Sequence, residues 1–185
     1  CGGGGPIADA NAQTTAETPR APNVVPEDIV EYVRQKGRVV DTTIASLYLP
    51  RQHMGDLAGL TKTSKLQYGS DVRQFVDVFA PTNRPSTPVP VVVFIHGGGF
   101  TGGAVGTPGS FQYDHLGKFF ARHGYVFVNV EYRLAPTHKW PAGGEDLSAA
   151  VDWTRRNIAA HGGDPARIFV MGQSAGATHA AHYTF

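Results

Sequence analysis

Three short, predominantly apolar runs constrain the fold of this chain more than any other feature. They occupy residues 91–95, 126–130 and 168–171, and β-branched residues are frequent in them. Such runs are typical of parallel strands that helices cover on both faces. Helix-like segments separate the runs, one at 117–124 and one at 147–158, where Leu, Val, Thr and Ile recur at helical spacing. The pattern predicts strands and helices that alternate along the chain.

The elements before these runs complete the predicted fold class. A strand is predicted at 74–79, near a sheet edge, because it partly alternates and ends at a proline. A helix is predicted at 27–36, with acids first, bases last and Gly37 as the stop. Residues 39–65 show no clean period and are expected to form short helix and loop. The order β-β-α-β-α-β predicts an α/β fold: an open, mostly parallel sheet flanked by helices.

The composition divides the chain into three regions. Residues 1–22 are rich in Gly, Ala, Thr and Pro and are expected to form a flexible tether. Residues 23–66 are expected to be an N-terminal helical segment. Residues 67–185 carry the strand and helix pattern and are expected to be the first part of an α/β core.

The position of the single cysteine suggests a cellular location. Cys1 is the first residue, and four glycines and the tether-like stretch follow it. This resembles a mature bacterial lipoprotein whose new N-terminal cysteine carries lipid. We therefore expect an exported, membrane-anchored protein with a lipid anchor at Cys1. The alternative is a cytoplasmic protein whose sequence happens to begin here at Cys.

Charge and cysteine content argue against several kinds of partner. Lys and Arg number 16 against 15 Asp and Glu, so the formal charge is +1 and no basic field for nucleic acid exists. The longest apolar run is about seven residues, far short of the roughly 20 that cross a bilayer. One cysteine allows no intrachain disulfide and no Cys-x-x-Cys metal site. The cysteine content therefore predicts neither a disulfide nor a cysteine metal site.

The last predicted strand runs directly into the first chemical motif, Gly-Gln-Ser-Ala-Gly at 172–176, and small residues follow it. In this strand–turn–helix context Gly-x-Ser-x-Gly forms a sharp elbow that exposes the hydroxyl of its serine, here Ser174. The serine backbone must be strained, so the positions two before and two after it have room for little or no side chain. The sequence predicts Ser174 as a nucleophile.

The second motif follows the strand at 91–95 and reads His-Gly-Gly-Gly-Phe at 96–100. A glycine-rich loop at this place lets backbone N–H groups approach a substrate oxygen that develops negative charge. The expected donors are the amides of Gly98, Gly99 and Ala175. A phosphate-cradling loop is the alternative, but the dinucleotide-binding pattern is not clearly met.

Together these motifs resemble the hormone-sensitive-lipase-like and carboxylesterase branch of the α/β-hydrolase family. The resemblance covers roughly residues 68–185 and rests on four ordered landmarks, at 96–100, 131–136, 163–168 and 172–177. It implies a hydrolase of small carboxylic esters that needs no metal or cofactor, with N-terminal helices forming part of a cap. Gln173 departs from the acidic residue common at this position in the carboxylesterase branch.

The acid and the histidine of a catalytic triad have no matching positions here. In this fold they follow the serine, and the sequence printed here ends eleven residues after Ser174. On a helix, His179 and His182 would point down an axis away from the site. His96 suits bracing the glycine loop, and Asp146 suits the charge at the start of a helix.

We expect the protein to continue for roughly 90 residues. The isolated chain is expected to be inactive, and the strand that leads to Ser174 is expected to be an exposed edge of the sheet.

Two other functions stay open from the sequence. An amide-cleaving relative, such as a peptidase or formamidase, would use the same attacking machinery. A non-catalytic, hydrolase-like binding module would have no evident need for the strained elbow. The leading interpretation is a serine hydrolase that cleaves small-molecule esters through an acyl-enzyme on Ser174. The sequence does not predict an oligomeric state.

Overall fold

A computed structural model describes residues 25–37, 57–106 and 113–185 of the chain. Cys1, the predicted tether and most of the 39–65 segment lie outside the described residues. The chain divides into two compact units, Cys1–Arg51 and Gln52–Phe185. In the first unit, helix α1 spans Glu27–Lys36, as predicted, with two acids in its first turn and two bases in its last. These charges complement the helix dipole.

The second unit is built on a five-stranded sheet with the order β1-β2-β4-β3-β5. Strands β3, β4 and β5 are parallel, whereas β1 pairs antiparallel with β2 and β2 antiparallel with β4. The strand bounds are β1 Leu60–Gln67, β2 Phe75–Pro81, β3 Val89–Ile95, β4 Val126–Val130 and β5 Gly163–Gly172.

Helices cover both faces of this sheet, as the apolar runs predicted. Along β3, Val91, Val93 and Ile95 belong to one buried cluster, while Val92 and Phe94 belong to another. The first cluster packs against α3 and α4, and the second against α2. The helix bounds are α2 Asp114–Arg122, α3 Ala142–Asn157, continued by a 3₁₀ turn at Ile158–His161, and α4 Ala175–Thr184.

One prediction about the sheet was wrong. Residues 60–65, expected to be helix and loop, belong to strand β1. Strand β1 is an edge strand, and only Leu60 in it is fully buried, so it lacks the apolar pattern that reveals a central strand. The sheet is mixed because β2 runs opposite to its neighbours, but the other four strands run in one direction, as predicted, and β2 lies next to the edge strand β1.

The connections place a crevice at the carboxyl ends of β3 and β5. From β3 the chain crosses through α2 on one face to β4, and from β4 it crosses through α3 on the other face to β5. In open α/β sheets, ligands bind outside the carboxyl ends of the strands, at the place where two crossovers leave on opposite faces. Both predicted motifs follow these two strand ends. The predicted edge is also present, since β5 closes the sheet order and Phe169 on it is 58% exposed.

Two features are absent from the described segments. None of their helices combines the length and apolar character that a membrane span needs. They also contain no group of three or more His, Cys, Asp or Glu side chains arranged to hold a metal ion.

Candidate active site

Ser174 occupies a strained turn between β5 and α4. Its φ of 54° and ψ of −120° lie in a region that residues with a side chain rarely adopt. Such a conformation costs on the order of 1–3 kcal/mol and persists where the surrounding structure enforces it. The residue is exposed, and its side chain makes no capping hydrogen bond to α4. The elbow thus presents the serine to solvent, at the crevice.

The glycines on either side of Ser174 are required by close backbone contacts. A Cβ built on Gly172 would lie 2.6 Å from the carbonyl carbon of Gly176. A Cβ on Gly176 would lie 2.6 Å from the carbonyl oxygen of His96 and 2.8 Å from the carbonyl carbon of Ile95. Real Cβ atoms essentially never come within 3.0 Å of another heavy atom. The elbow therefore folds back on itself and packs against the end of β3.

The glycine-rich loop after β3 contacts the elbow directly. Ile95 pairs with Gly172, and the amide of Gln173 donates to the Ile95 carbonyl at 3.2 Å. A Cβ on Gly97 would lie 3.0 Å from the Cβ of Ser174 and would also clash with the Gln173 side chain. The parallel pairing of β3 with β5 thus brings together the two motifs that the sequence singled out.

Three amides at this junction have no acceptor. Among the residues that the structure describes, those of Gly98, Gly99 and Ala175 donate no hydrogen bond. Gly98 and Gly99 have φ values of 138° and 61°, which a residue with a Cβ would adopt only with strain. Both glycines are exposed, while Ala175 is buried at the first turn of α4. Water can solvate the exposed glycine amides, and the Ala175 amide is one of the donors that the start of a helix leaves unpaired, so all three are available to an external acceptor.

His96 holds the start of the glycine loop from below. Its ring is fully buried, with Nδ1 at 2.7 Å from the Gly97 carbonyl and Nε2 at 3.3 Å from a Glu131 oxygen. The Tyr132 hydroxyl donates to the His96 carbonyl at 3.0 Å. Burial, together with the nearby Glu131 carboxylate, raises the pKa of Tyr132 to about 12, so this donor keeps its proton. His96 braces the loop, as predicted.

The buried carboxylate of Glu131 joins β4 to the far side of the same loop. It accepts from the Val105 amide at 2.9 Å and pairs with Arg73. The Arg73 guanidinium also donates to the Gly103 carbonyl and, through Nε, to the Tyr132 carbonyl, both at 2.9 Å. Burial of a carboxylate costs free energy unless it is paired and hydrogen-bonded, and these partners offset that cost. The network fixes the far end of the loop, at Gly103 and Val105, against the residues that directly follow β4.

Asp146 has a different role from the one predicted. It was assigned to helix charge, but it is 1% exposed and forms a buried pair with Arg133 on the loop after β4. Arg133 donates from Nη2 at 2.7 Å, from Nε at 3.0 Å and from its amide at 2.9 Å. Gln74 supplies a further donor at 2.7 Å. Asp146 therefore anchors the 131–141 loop onto α3.

Both histidines on α4 have aromatic neighbours. His179 lies on α4 among aromatic rings, and its Nδ1 has no hydrogen-bond partner. Burial lowers the pKa of His179, with smaller contributions in the same direction from His182 and His96. His182 is exposed and packs on Trp140. The triad acid and histidine stay predictions.

Sequence reasoning missed the residues that support the site. The segment at 131–136 served as a family landmark, but the buried roles of Glu131 and Arg133 were not read from it. A signal was present, because a charged residue directly after a continuously apolar strand must find a partner where the strand ends. The partners, Arg73 and Asp146, are distant in sequence, and no local pattern announces them.

These features define the α/β-hydrolase class, as the sequence predicted. They are the sheet order, the two crossovers on opposite faces, and the serine elbow at the carboxyl end of β5. A family model agrees with this geometry: the BD-FAE family matches residues 76–184, and the chain belongs to that family. Esterase LipC of Mycobacterium tuberculosis is 37% identical over 112 residues, which cover 60% of this chain and 27% of the relative. Carboxylesterase NlhH of the same organism is 45% identical over 89 residues, or 48% and 26% of the two chains.

A solved structure shows the same arrangement. A bacterial heroin esterase superposes with a TM-score of 0.61 at 30% sequence identity, over 85% of this chain and 51% of the other. The chain thus spans about half of that enzyme and about a quarter of the two curated relatives above.

Proposed function

We propose that the protein is a carboxylesterase in which Ser174 is the nucleophile. The observation that carries the proposal is the junction of elbow and loop: a strained, exposed serine next to three amides without acceptors. The names of the relatives support the same reaction class, since LipC is an esterase and NlhH a carboxylesterase.

In the proposed reaction, Oγ of Ser174 forms a bond to the ester carbonyl carbon and gives up its proton to a base. The carbonyl π pair moves onto oxygen, and the amides of Gly98, Gly99 and Ala175 stabilise that oxyanion. Collapse breaks the bond to the alkoxy group, which leaves as the alcohol after taking a proton. Water then cleaves the acyl-enzyme and releases the carboxylic acid.

The bracing network gives the amides their function in this scheme. Oxyanion donors accelerate the reaction only if they already point at the place where charge develops. His96, Tyr132 and Glu131 hold the loop from the buried side, so the amides of Gly98 and Gly99 need not reorganise when the oxyanion forms. Loss of one such donor typically costs about 100- to 1000-fold in kcat.

The test is hydrolysis of p-nitrophenyl esters and matched p-nitroanilides by the full-length protein. Ser174→Ala is expected to lower the rate constant for esters by at least about 10⁴-fold. Thr178→Ala, which removes an exposed hydroxyl one turn further along α4, is the matched control and should keep the rate within about threefold. Full activity in Ser174→Ala would refute the assignment. A preference for anilides over esters would favour the amide-cleaving alternative.

A further inference from the structure

A pocket of about 200 Å³ opens between the glycine-rich loop and the 131–141 loop. Phe100, Trp140 and His179 supply its aromatic walls, and Ala135 and Gly143 complete the apolar lining. Phe100 directly follows Gly99, whose amide is a proposed oxyanion donor. His179 lies five residues beyond Ser174, about 7 Å along α4 at a rise of roughly 1.5 Å per residue. The pocket, called the ring pocket below, therefore adjoins the candidate active site.

The walls of the ring pocket are fixed relative to each other. The Phe100 carbonyl accepts the Ala135 amide at 2.9 Å, which ties the glycine-rich loop to the opposite wall. Phe100 has a φ of 68°, a strained value for a bulky side chain. Below the walls, the Arg133–Asp146 pair anchors the second loop to α3. The pocket is thus preformed, which lowers the entropy cost of binding.

The aromatic side chains leave apolar surface uncovered around a buried imidazole. Phe100 meets the His179 ring edge-on at 5.4 Å, and the Trp140 ring lies nearly parallel to it at 6.1 Å. Phe100 is 41% exposed and Trp140 57%, although each flanks a side chain that is only 4% exposed. Covering apolar surface gains about 25 cal/mol per Å². An apolar group that enters between these rings would obtain that gain.

The charges around the ring pocket favour a neutral occupant. Arg133 is already paired with Asp146 through three side-chain hydrogen bonds, so its guanidinium does not offer an anion site. Burial lowers the pKa of His179, which keeps its imidazole neutral near pH 7. Lys139 also lines the pocket but is exposed, so water solvates its ammonium group.

The volume limits the size of that occupant. An apolar cavity of about 150 Å³ holds one benzene molecule. The ring pocket, at about 200 Å³, has space for one six-membered ring or a chain of roughly four to six carbons, but not for two fused rings. Gly143 helps to keep this space open, because a Cβ there would collide with the His179 imidazole and displace it.

From these observations we propose that the ring pocket binds one neutral aromatic ring or short carbon chain of the ester, with Trp140 and His179 as specificity-determining residues. The inference rests on the proposed function, because the ester is the substrate of Ser174. The group can belong to the acyl or to the alcohol part, since both have the same apolar chemistry. The experiment has one arm for each.

The first measurement compares kcat/KM for simple esters by acid release at constant pH. Ethyl phenylacetate against ethyl acetate tests the acyl part, and benzyl acetate against ethyl acetate tests the alcohol part. We expect the ring to raise kcat/KM at least about tenfold in one arm, and a naphthyl group in the same place to lose that gain. Trp140→Ala should abolish the ring preference, mainly by raising KM for the ring-bearing ester. No ring preference in either arm would overturn the inference.

The matched control is His182→Leu. His182 packs against Trp140 at 4.4 Å but does not line the ring pocket. The His182→Leu protein should keep the ring preference, whereas the His179→Leu protein should show a smaller one. Equal effects of His182→Leu and Trp140→Ala on the preference would contradict the inference.

The second measurement separates the ring pocket from the chemistry. Saturation-transfer NMR of benzyl alcohol with the Ser174→Ala protein reports ring binding without turnover. We expect a signal with Ser174→Ala and its loss when Trp140→Ala is added. A missing signal with Ser174→Ala overturns the ring pocket even if the esterase proposal holds. Conversely, full esterase activity in Ser174→Ala overturns the nucleophile and leaves this binding result intact.

Discussion

Gly176→Ala should damage the active site by a steric effect that can be worked out from the backbone. The new Cβ would lie 2.6 Å from the His96 carbonyl oxygen and 2.8 Å from the Ile95 carbonyl carbon, where ordinary contact begins at 3.4 Å. The Ile95 carbonyl oxygen would be closer still, so the elbow and the end of β3 must separate by about 1 Å. Both partners are backbone, so no side-chain rotation can relieve the contact.

This movement changes the distance between Ser174, the proposed nucleophile, and the oxyanion donors in the glycine-rich loop. A misplacement of about 1 Å can cost on the order of 100-fold in rate, so we expect kcat/KM on p-nitrophenyl acetate to fall by at least about tenfold and up to 100-fold. Overpacking of this kind also lowers the free energy of unfolding by about 1–3 kcal/mol. A urea titration at constant pH measures the second effect.

The control is Gly102→Ala in the neighbouring loop. Its Cβ would meet only the Gly98 carbonyl oxygen, at an ordinary 3.5 Å, and its φ is not in the left-handed region. We expect activity within about threefold of wild type and a change in stability under about 0.5 kcal/mol. If Gly176→Ala behaved like Gly102→Ala in both assays, the close packing of elbow and loop would be refuted.

Three further predictions concern the support of the site. Tyr132→Phe removes the donor to the buried His96 carbonyl and should lower the free energy of unfolding by about 1–3 kcal/mol in urea titrations; an unchanged midpoint would contradict the bracing role. Asp146→Asn removes the buried one of the two carboxylates that pair with Arg133 and should cost about 1–3 kcal/mol in the same assay, whereas the exposed Asp152→Asn should cost under about 1 kcal/mol. Because burial depresses the pKa of His179 below 6.5, the unfolded state binds more protons below pH 6.5, so stability should fall as pH drops from 7.5 to 5.5. His179→Leu should flatten this dependence, and an equal slope in the variant would show that His179 does not cause it.

The sequence predicts the central fold because the core strands have a strong local signal. Strands β3 and β5 are built around continuously apolar runs, the run of β4 is interrupted by Asn129, and α3 carries a clear helical stripe. Strand β1 was missed for the opposite reason. It pairs with a neighbouring strand on one side only, and most of its side chains are exposed or half-buried. Its sequence, with Thr, Lys and Ser in the middle, does not distinguish an exposed edge strand from a loop.

The candidate site shows the same division between local and distant information. Ser174 and the glycines at 97–99 were predictable because each motif needs a particular backbone, and that need limits side-chain size within a few residues. The residues that hold the motifs were not predictable, since the Arg73–Glu131 and Arg133–Asp146 pairs form only when strands and helices meet. His179 was judged by its distance along α4 alone, and the rings around it come from two other loops.

Covalent trapping of the nucleophile tests the central claim most directly. The full-length protein is incubated with a fluorophosphonate, digested, and examined by mass spectrometry for the modified residue. The account predicts one phosphonyl adduct, located on Ser174, and no adduct in the Ser174→Ala protein. An adduct on another residue, or an active esterase that shows none on Ser174, would contradict it.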